Sequence, residues 1–447
     1  MSDQDPRPLD SMGVPREPID RIVKPITRFL HVEAAGGFVL LGCTVIALAL
    51  ANSAWSEQYL AIWKMRVGFS IGSFEMFHSL KHWINDGLMA LFFFVVGLEV
   101  KRELVLGELR EMRRAALPIA AALGGMIVPA AVYLLFLGDN DGAPGWGIPM
   151  ATDIAFVVGC MAVLGSRVPH ILRVTILSLA IADDIGAILV IAVGYTDEVG
   201  VGALLFGFAG IGVCSLLARL GVRRTGVYVV VGILTWLGFH ESGVHATIAG
   251  VLLGLLTPAR PWANRGAVGA SLQQASEFFQ GDRFDSAQHK AAKVRRLEQA
   301  ARETLSPLER LESLLHPWSS FVVMPIFALS NAAVPFEFSD LGSPVAIAII
   351  GGLVIGKPVG ILGLSWLATK VGVASLPEGL TWKSLLGGGV LAGIGFTMAL
   401  FISGLALDGP ELDAAKVGVL AGSAIAAVIG MVFLTMVLPK PTETPTE

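Results

Sequence analysis

Val174-Thr-Ile-Leu-Ser-Leu-Ala-Ile-Ala-Asp183-Asp184-Ile-Gly-Ala-Ile-Leu-Val-Ile-Ala-Val-Gly-Tyr195 is an apolar run of the length that crosses a bilayer as a helix, with two adjacent carboxylates at its centre. It lacks the alternation of a membrane-barrel strand. Successive helical residues point about 100° apart, and an ionisable group in hydrocarbon costs several kcal/mol, so at least one of Asp183 and Asp184 must line a polar cavity. Two carboxylates so close in a low dielectric cannot comfortably both carry charge. The pair should therefore take up and release protons as one coupled site. Carboxyls that only hydrogen-bond neighbouring helices are the lesser alternative, because Ser, Thr or Asn usually fill that role.

On either side of this segment, apolar runs recur near 32–51, 86–104, 116–137, 150–165, 199–219, 226–239, 243–257, 319–335, 344–369, 385–406 and 415–438, which makes about twelve spans. Of the 447 residues, 54% are hydrophobic and 15% charged, where a soluble domain carries roughly a quarter charged residues. The fold class expected is an all-α polytopic membrane protein. A net charge of -4 offers no basic excess for nucleic acid.

Lys and Arg set the orientation. The 101–114 loop holds Lys101, Arg102, Arg110, Arg113 and Arg114, and later loops on that side hold Arg167, Arg173, Arg219, Arg223 and Arg224. Opposite loops offer Asp139, Asp141, Asp197, Glu198 and Asp408, with Lys64, Arg66, Lys81 and Lys416 as exceptions. The basic side should be cytoplasmic, with both termini on it. This divides the chain into a cytoplasmic segment 1–30, a transmembrane domain 31–438 interrupted by a cytoplasmic insertion 258–318, and a tail 439–447. A cleavable signal peptide fits poorly, since a mixed-charge, proline-rich stretch precedes the first apolar run.

Two connections are long. The outer loop 52–85 contains Val67-Gly68-Phe69-Ser70-Ile71-Gly72-Ser73-Phe74, either a short hairpin turning at the glycines or an ordered surface loop. In the inner stretch, Ser306-Pro307-Leu308-Glu309 reads as a capping box with proline at the first helical position, followed by Leu311, Leu314 and Leu315 on the face of Leu308. An amphipathic helix should lead from there into the ninth span. The 262–303 part should be a solvated, partly helical insertion without chemistry.

Other ionisable residues inside spans are Asp153, His245 and Lys357, with Asp86 and Glu99 near the ends of the second; Glu33 should be interfacial. Asp153 follows Pro149 and Thr152 in a span that invites interruption, and Gly387-Gly388-Gly389 with Gly393 and Gly395 offers a matching break in the eleventh. A carboxylate at such a break can neutralise facing helix N-termini. Lys357, followed by Pro358, cannot stay charged and alone: it pairs with Asp153, Asp183 or Asp184, or gives up its proton. His245 either packs through a hydrogen bond or senses protons. Cys43, Cys160 and Cys214 lie in apolar runs as small core residues. Oxygen ligands without Cys or His metal spacing suit Na⁺ or Li⁺ rather than zinc, and protons compete for the same oxygens.

Ala151-Thr152-Asp153-Ile154-Ala155-Phe156, Ala180-Ile181-Ala182-Asp183-Asp184-Ile185-Gly186-Ala187, Gly356-Lys357-Pro358 and Gly393-Ile394-Gly395-Phe396-Thr397-Met398 together resemble the bacterial NhaA family of Na⁺/H⁺ antiporters. Asn85-Asp86-Gly87, Gly97-Leu98-Glu99-Val100-Lys101-Arg102 and Ser242-Gly243-Val244-His245 extend the match in order along nearly the whole chain. The resemblance implies twelve spans, inverted-topology repeats from spans 3–5 and 10–12, and broken, crossing helices at spans 4 and 11. It implies Asp184 as the main Na⁺ ligand beside Asp183, Lys357 paired with Asp183 until Na⁺ arrives, and Thr152 and Asp153 at the crossing. A homodimer joined through the 52–85 loop is also implied, in the lipid of a bacterial inner membrane. So is electrogenic, alkaline-activated exchange of cytoplasmic Na⁺ or Li⁺ for external H⁺, with no cofactor and no enzymatic step. Residues of the pH response would be Glu99, Arg102, His245 and Glu312. Ser313 stands where the family often has His, and the inner loop 258–318 is expanded.

Rival functions meet missing residues. An intramembrane aspartyl protease needs a Tyr-Asp pair at mid-span, and a prenyltransferase needs a further carboxylate one turn from its Asp pair to hold diphosphate through Mg²⁺. Neither is present. A Na⁺-coupled symporter of an organic anion shares the broken helices, but the buried Lys357 argues against it.

Overall fold

With no water at membrane depth to satisfy backbone groups, apolar runs of this length have only the helix open to them. The computed structural model describes residues 33–72, 74–138, 140–196, 199–222, 224–260, 305–336 and 338–439. Segment 1–30, insertion residues 262–303, tail residues 440–447, and Asp139, Asp197, Glu198 and Arg223 of the charge argument lie outside the described residues. The elements are α1 (Glu33–Ala51), α2 (Ser56–Lys64), β1 (Arg66–Ile71), β2 (Phe74–Ser79), α3 (Leu80–Val105) and α4 (Met112–Leu137). A 3₁₀ segment Ala143–Met150 precedes α5 (Ile154–Leu164), followed by α6 (His170–Gly194), α7 (Val201–Arg219), α8 (Thr225–His240) and α9 (Thr247–Leu256). After the insertion come α10 (Pro307–Asn331), α11 (Pro344–Val371), α12 (Trp382–Ala392), α13 (Phe396–Ala406) and α14 (Gly409–Val437).

Eight helices are long and apolar enough to cross a membrane, or ten if each of two bent pairs is one span: α1 with α2, bent by 114°, and α12 with α13, bent by 47°. Helices α8 and α9 are apolar but shorter, at 16 and 10 residues. Each of the twelve apolar runs is helical for most of its length, and a count of twelve spans requires both short helices to cross as well.

Glycine sets how closely the helices approach. A Cβ on Gly124 of α4 would lie 2.0 Å from the carbonyl oxygen of Gly360 on α11, so these backbones touch directly, as small residues allow between membrane helices. That contact fixes Lys357, one turn earlier on α11, against α4. The loop 52–85 does form an antiparallel hairpin, pairing Arg66 with Ser79 through Ile71 with Phe74. Only one of its two glycines is at the turn. Gly72 has φ 63°, as two-residue hairpin turns require, whereas Gly68 sits inside β1 opposite Phe77.

The capping box is present: the Ser306 side chain accepts from the Glu309 N–H, and Glu309 Oε2 accepts from the Ser306 N–H at 2.9 Å. The amphipathic turn then runs without interruption into the ninth apolar segment, through a π-helical stretch Ser319–Val323. At the other end, α14 begins at Gly409, ahead of the apolar run. Lys416, counted with the outer loop although it falls within the run 415–438, is inside this helix and 4% exposed. Proline at the second helical position is preorganised for the first turn, which begins ahead of that run.

Candidate ion-binding site

Asp183 and Asp184 sit at the middle of α6, and both are buried. Their surroundings differ. Asp183 Oδ2 lies 2.8 Å from Lys357 Nζ and accepts the Thr152 hydroxyl at 2.6 Å, while its Oδ1 is buried without a partner. Asp184 accepts no hydrogen bond from any described residue and lines a cavity of about 1010 Å³. Lys357 is 0% exposed and also donates to the Met150 carbonyl. Of the three acids open to Lys357 on sequence grounds, it has Asp183.

The partners come from two interrupted helices. Residues 151–153 are extended between the 3₁₀ segment and α5, and residues 393–395 separate α12 from α13. The interruptions touch: the Asp153 N–H donates to the Ile394 carbonyl at 2.7 Å, and the Thr152 hydroxyl reaches the Ala392 carbonyl at 3.1 Å. Asp153 is the N-cap of α5, accepting from the Phe156 N–H at 3.1 Å through Oδ1. Its Oδ2 accepts from the Thr397 N–H at 3.1 Å and from the Thr397 hydroxyl. One carboxylate thus serves the positive ends of two helices, α5 and α13. The negative ends, Met150 and Ala392, meet the Lys357 ammonium and the Thr152 hydroxyl. The site residues Thr152, Asp153, Asp183, Asp184 and Lys357 expected from sequence are brought together.

Along the cavity from Asp184 and Asp153 stand Glu99, Arg102, Glu312 and His316. Arg102 pairs with Glu312 at 2.5 Å, and His316 Nε2 lies 3.9 Å from Glu99. The cavity's far end is formed by residues around Glu108–Arg114 and Glu309–His316, on the face of the basic 101–114 loop. Three residues expected in a pH response therefore share its wall. His245 does not join them. Its Nε2 donates to the Tyr195 carbonyl at 2.5 Å, beyond the C-terminal end of α6, whereas Ser178 near the other end donates to Glu103 on the cavity wall. At 1.5 Å rise per residue the two ends are about 25 Å apart.

Sequence reasoning missed Thr397 and His316 as site residues, although Thr397 stood in a motif it quoted and His316 lies one turn beyond Glu312. It also found no metal-type histidine cluster, whereas folding brings His78, His82 and His240 together, with ligand atoms within 4.8 Å of one another. His78 and His82 are four positions apart across a strand-to-helix boundary. His240 is remote in sequence, so spacing carried no signal.

The family description "Na⁺/H⁺ antiporter 1" matches residues 27–434. The chain is 56% identical over 431 residues to the Na⁺/H⁺ antiporter NhaA of Rhodopirellula baltica, covering 96% of this chain and 98% of that one. It is 51% identical over 428 residues to that of Rhizobium meliloti, at 96% and 98% coverage. The NhaA 3 antiporter of Acidiphilium cryptum is 47% identical over 447 residues, at 100% and 97%. A solved structure of the sodium proton antiporter MjNhaP1 from Methanocaldococcus jannaschii is a looser likeness, with a TM-score of 0.45 and 11% identity over 94% of this chain and 99% of that one. Matched end to end by relatives at this identity, and built of long apolar helices around buried carboxylates, the chain is a multi-pass membrane transporter that belongs to the NhaA family of Na⁺/H⁺ antiporters.

Proposed function

We propose that this chain exchanges cytoplasmic Na⁺ or Li⁺ for external H⁺, electrogenically, by alternating access at Asp183 and Asp184. The observation that carries this is the asymmetry of the pair. Asp184 faces the cavity and accepts no hydrogen bond among the described residues, while Asp183 is held by Lys357 and Thr152. A hard cation entering the cavity meets Asp184 first, and the unpartnered Oδ1 of Asp183 is the next acceptor available. Its positive charge replaces the ammonium and any bound protons as the neutraliser of the dyad. Protons leave as the cation arrives, and their return expels it on the other side.

Thr152 and Asp153 hold the two interruptions together. In this reading spans 4 and 11 cross as broken helices within inverted repeats, and both termini are cytoplasmic. The count of twelve spans includes α8, α9 and the two bent pairs. The cavity then opens to the cytoplasm, consistent with the basic loop at its rim. Glu99, Arg102 and Glu312 along its wall govern the pH response, and His245 acts separately through Tyr195. The hairpin, with Val67 and Phe77 exposed, is the element through which a homodimer would form in the bacterial inner membrane. Chain organisation follows as a cytoplasmic segment 1–30, a domain 31–438 with its insertion 258–318, and a tail 439–447. No cofactor is required. A Na⁺-coupled organic-anion symporter is not favoured, given the family.

Dequenching of a ΔpH dye in everted vesicles, with NaCl, LiCl or KCl added at several pH values, tests this. Na⁺ and Li⁺ should collapse the gradient in the wild type and fail to do so in Asp184→Asn. Exchange that survives in the variant would remove the dyad from the mechanism.

A further inference from the structure

We propose that His78, His82, His240 and Asp86 form a binding site for a transition-metal dication of the zinc type, separate from the transport site. The four residues come from three elements: His78 from β2, His82 and Asp86 from the start of α3, and His240 from the last turn of α8. Three imidazoles and one carboxylate are a donor set typical of zinc.

The distances fit an ion between them better than direct bonds. Asp86 Oδ2 lies 3.4 Å from His82 Nε2 and 3.3 Å from His240 Nδ1, longer than the usual 2.7–3.2 Å of a hydrogen bond. Two ligands at about 2.0–2.1 Å from a tetrahedral ion stand about 3.3 Å apart. His82 Nε2 is buried and makes no hydrogen bond, its contact with Asp86 Oδ2 being an ion-pair distance of 3.4 Å. The three histidines' ligand atoms all lie within 4.8 Å of one another, so closing on one ion requires side-chain rotation within the cluster.

The cluster is also supported from outside. Trp236 stacks on His240 at 5.3 Å and 14°, and Trp83 stacks on Trp236 at 6.2 Å and 25°. Trp236 Nε1 donates to the Asp86 carbonyl at 3.1 Å, fixing the backbone that presents the carboxylate. A hydrogen bond of this kind helps orient a ligand in built metal sites. His78 and His82 stack at 4.2 Å and 23°, so binding must turn one of the two rings out of the stack before both can meet one ion. A bound ion would clamp the hairpin to α3 and α8, joining an exposed loop to the membrane core at an end of the molecule accessible from water.

The test uses tag-free protein, stripped with EDTA and kept in detergent. Zn²⁺ is titrated in competition with a chromophoric chelator, and Co²⁺ is titrated for its visible spectrum. Wild type should bind one Zn²⁺ per chain and give a tetrahedral Co²⁺ spectrum. His82→Gln and His240→Gln should each weaken binding at least about tenfold. His78→Ala, on the surface hairpin, should do the same while eluting as monodisperse protein, and Zn²⁺ should raise the melting temperature of wild type alone. Wild type that binds less than one ion per chain would overturn the proposal. So would a His78→Ala or His82→Gln variant that binds Zn²⁺ as tightly as wild type.

Discussion

Replacing Lys357 by Met takes the ammonium out of the site while keeping most of its volume. Lys357 is 0% exposed and Asp183 1%. The substitution leaves Asp183 with the Thr152 hydroxyl at 2.6 Å as its hydrogen bond. Stripping one partner from a buried ion pair costs about 3–5 kcal/mol if the other keeps its charge. Asp183 can avoid that cost by folding with a proton bound. The folded variant then holds one proton more than the unfolded chain, whose Asp is ionised near neutral pH. The difference in bound protons, unfolded minus folded, is about -1, so stability falls as pH rises, by about 1.4 kcal/mol per unit. The fall begins above the unfolded carboxyl's pKa of about 3.9 and stops when it equals the cost of the unpaired charge, after roughly 2–4 units. Thermal unfolding of purified wild type and Lys357→Met from about pH 4 to about pH 8 measures this. The gap in melting temperature should widen as pH rises from about 4 and level off near neutrality, and Asp183→Asn added to Lys357→Met should narrow it at the high-pH end. A gap that ignores pH, or a double variant no more stable there than Lys357→Met, would refute the assignment of this pair.

Three further substitutions probe the interruptions and the cavity. Thr397→Val deletes the buried hydroxyl that donates to Asp153 and should cost about 1–3 kcal/mol, read as a lower melting temperature. Unchanged stability would mean that Asp153 does not depend on this donor. Gly393→Ala would put a Cβ 2.4 Å from the Leu353 carbonyl oxygen; overpacking should cost about 1–3 kcal/mol and slow exchange in vesicles, whereas a neutral outcome would show that the break has room to spare. Glu312→Gln unpairs Arg102, which is 46% exposed, so stability should change by less than about 1 kcal/mol. The pH profile of exchange should nonetheless move, and an unmoved profile takes Glu312 out of the pH response.

Much of this site was legible before any coordinates, for a physical reason. In lipid an ionisable side chain is too costly to be incidental, so Asp153, Asp183, Asp184 and Lys357 stood out against their apolar neighbours. The capping box at Ser306 was legible because its chemistry is local. What escaped depends on contacts distant in sequence. The second role of Asp153, capping α13 through Thr397, arises only once two interruptions from opposite halves of the chain meet. The cavity is a space between helices and has no motif. Lys416 was counted with the outer loop for its charge alone, although it lies in the run 415–438 and is buried in α14, and the histidine cluster was invisible because α8 returns to the hairpin from far along the chain.

The central claim is that a cation and protons compete for Asp183 and Asp184. Calorimetric titration of NaCl into the purified protein, repeated over several pH values and in buffers of different ionisation enthalpy, tests it most directly. The account predicts that Na⁺ binding releases protons and tightens by about tenfold per pH unit for each proton displaced, and that Asp184→Asn abolishes it in folded protein. Binding that is independent of pH, or that persists in Asp184→Asn, would contradict it.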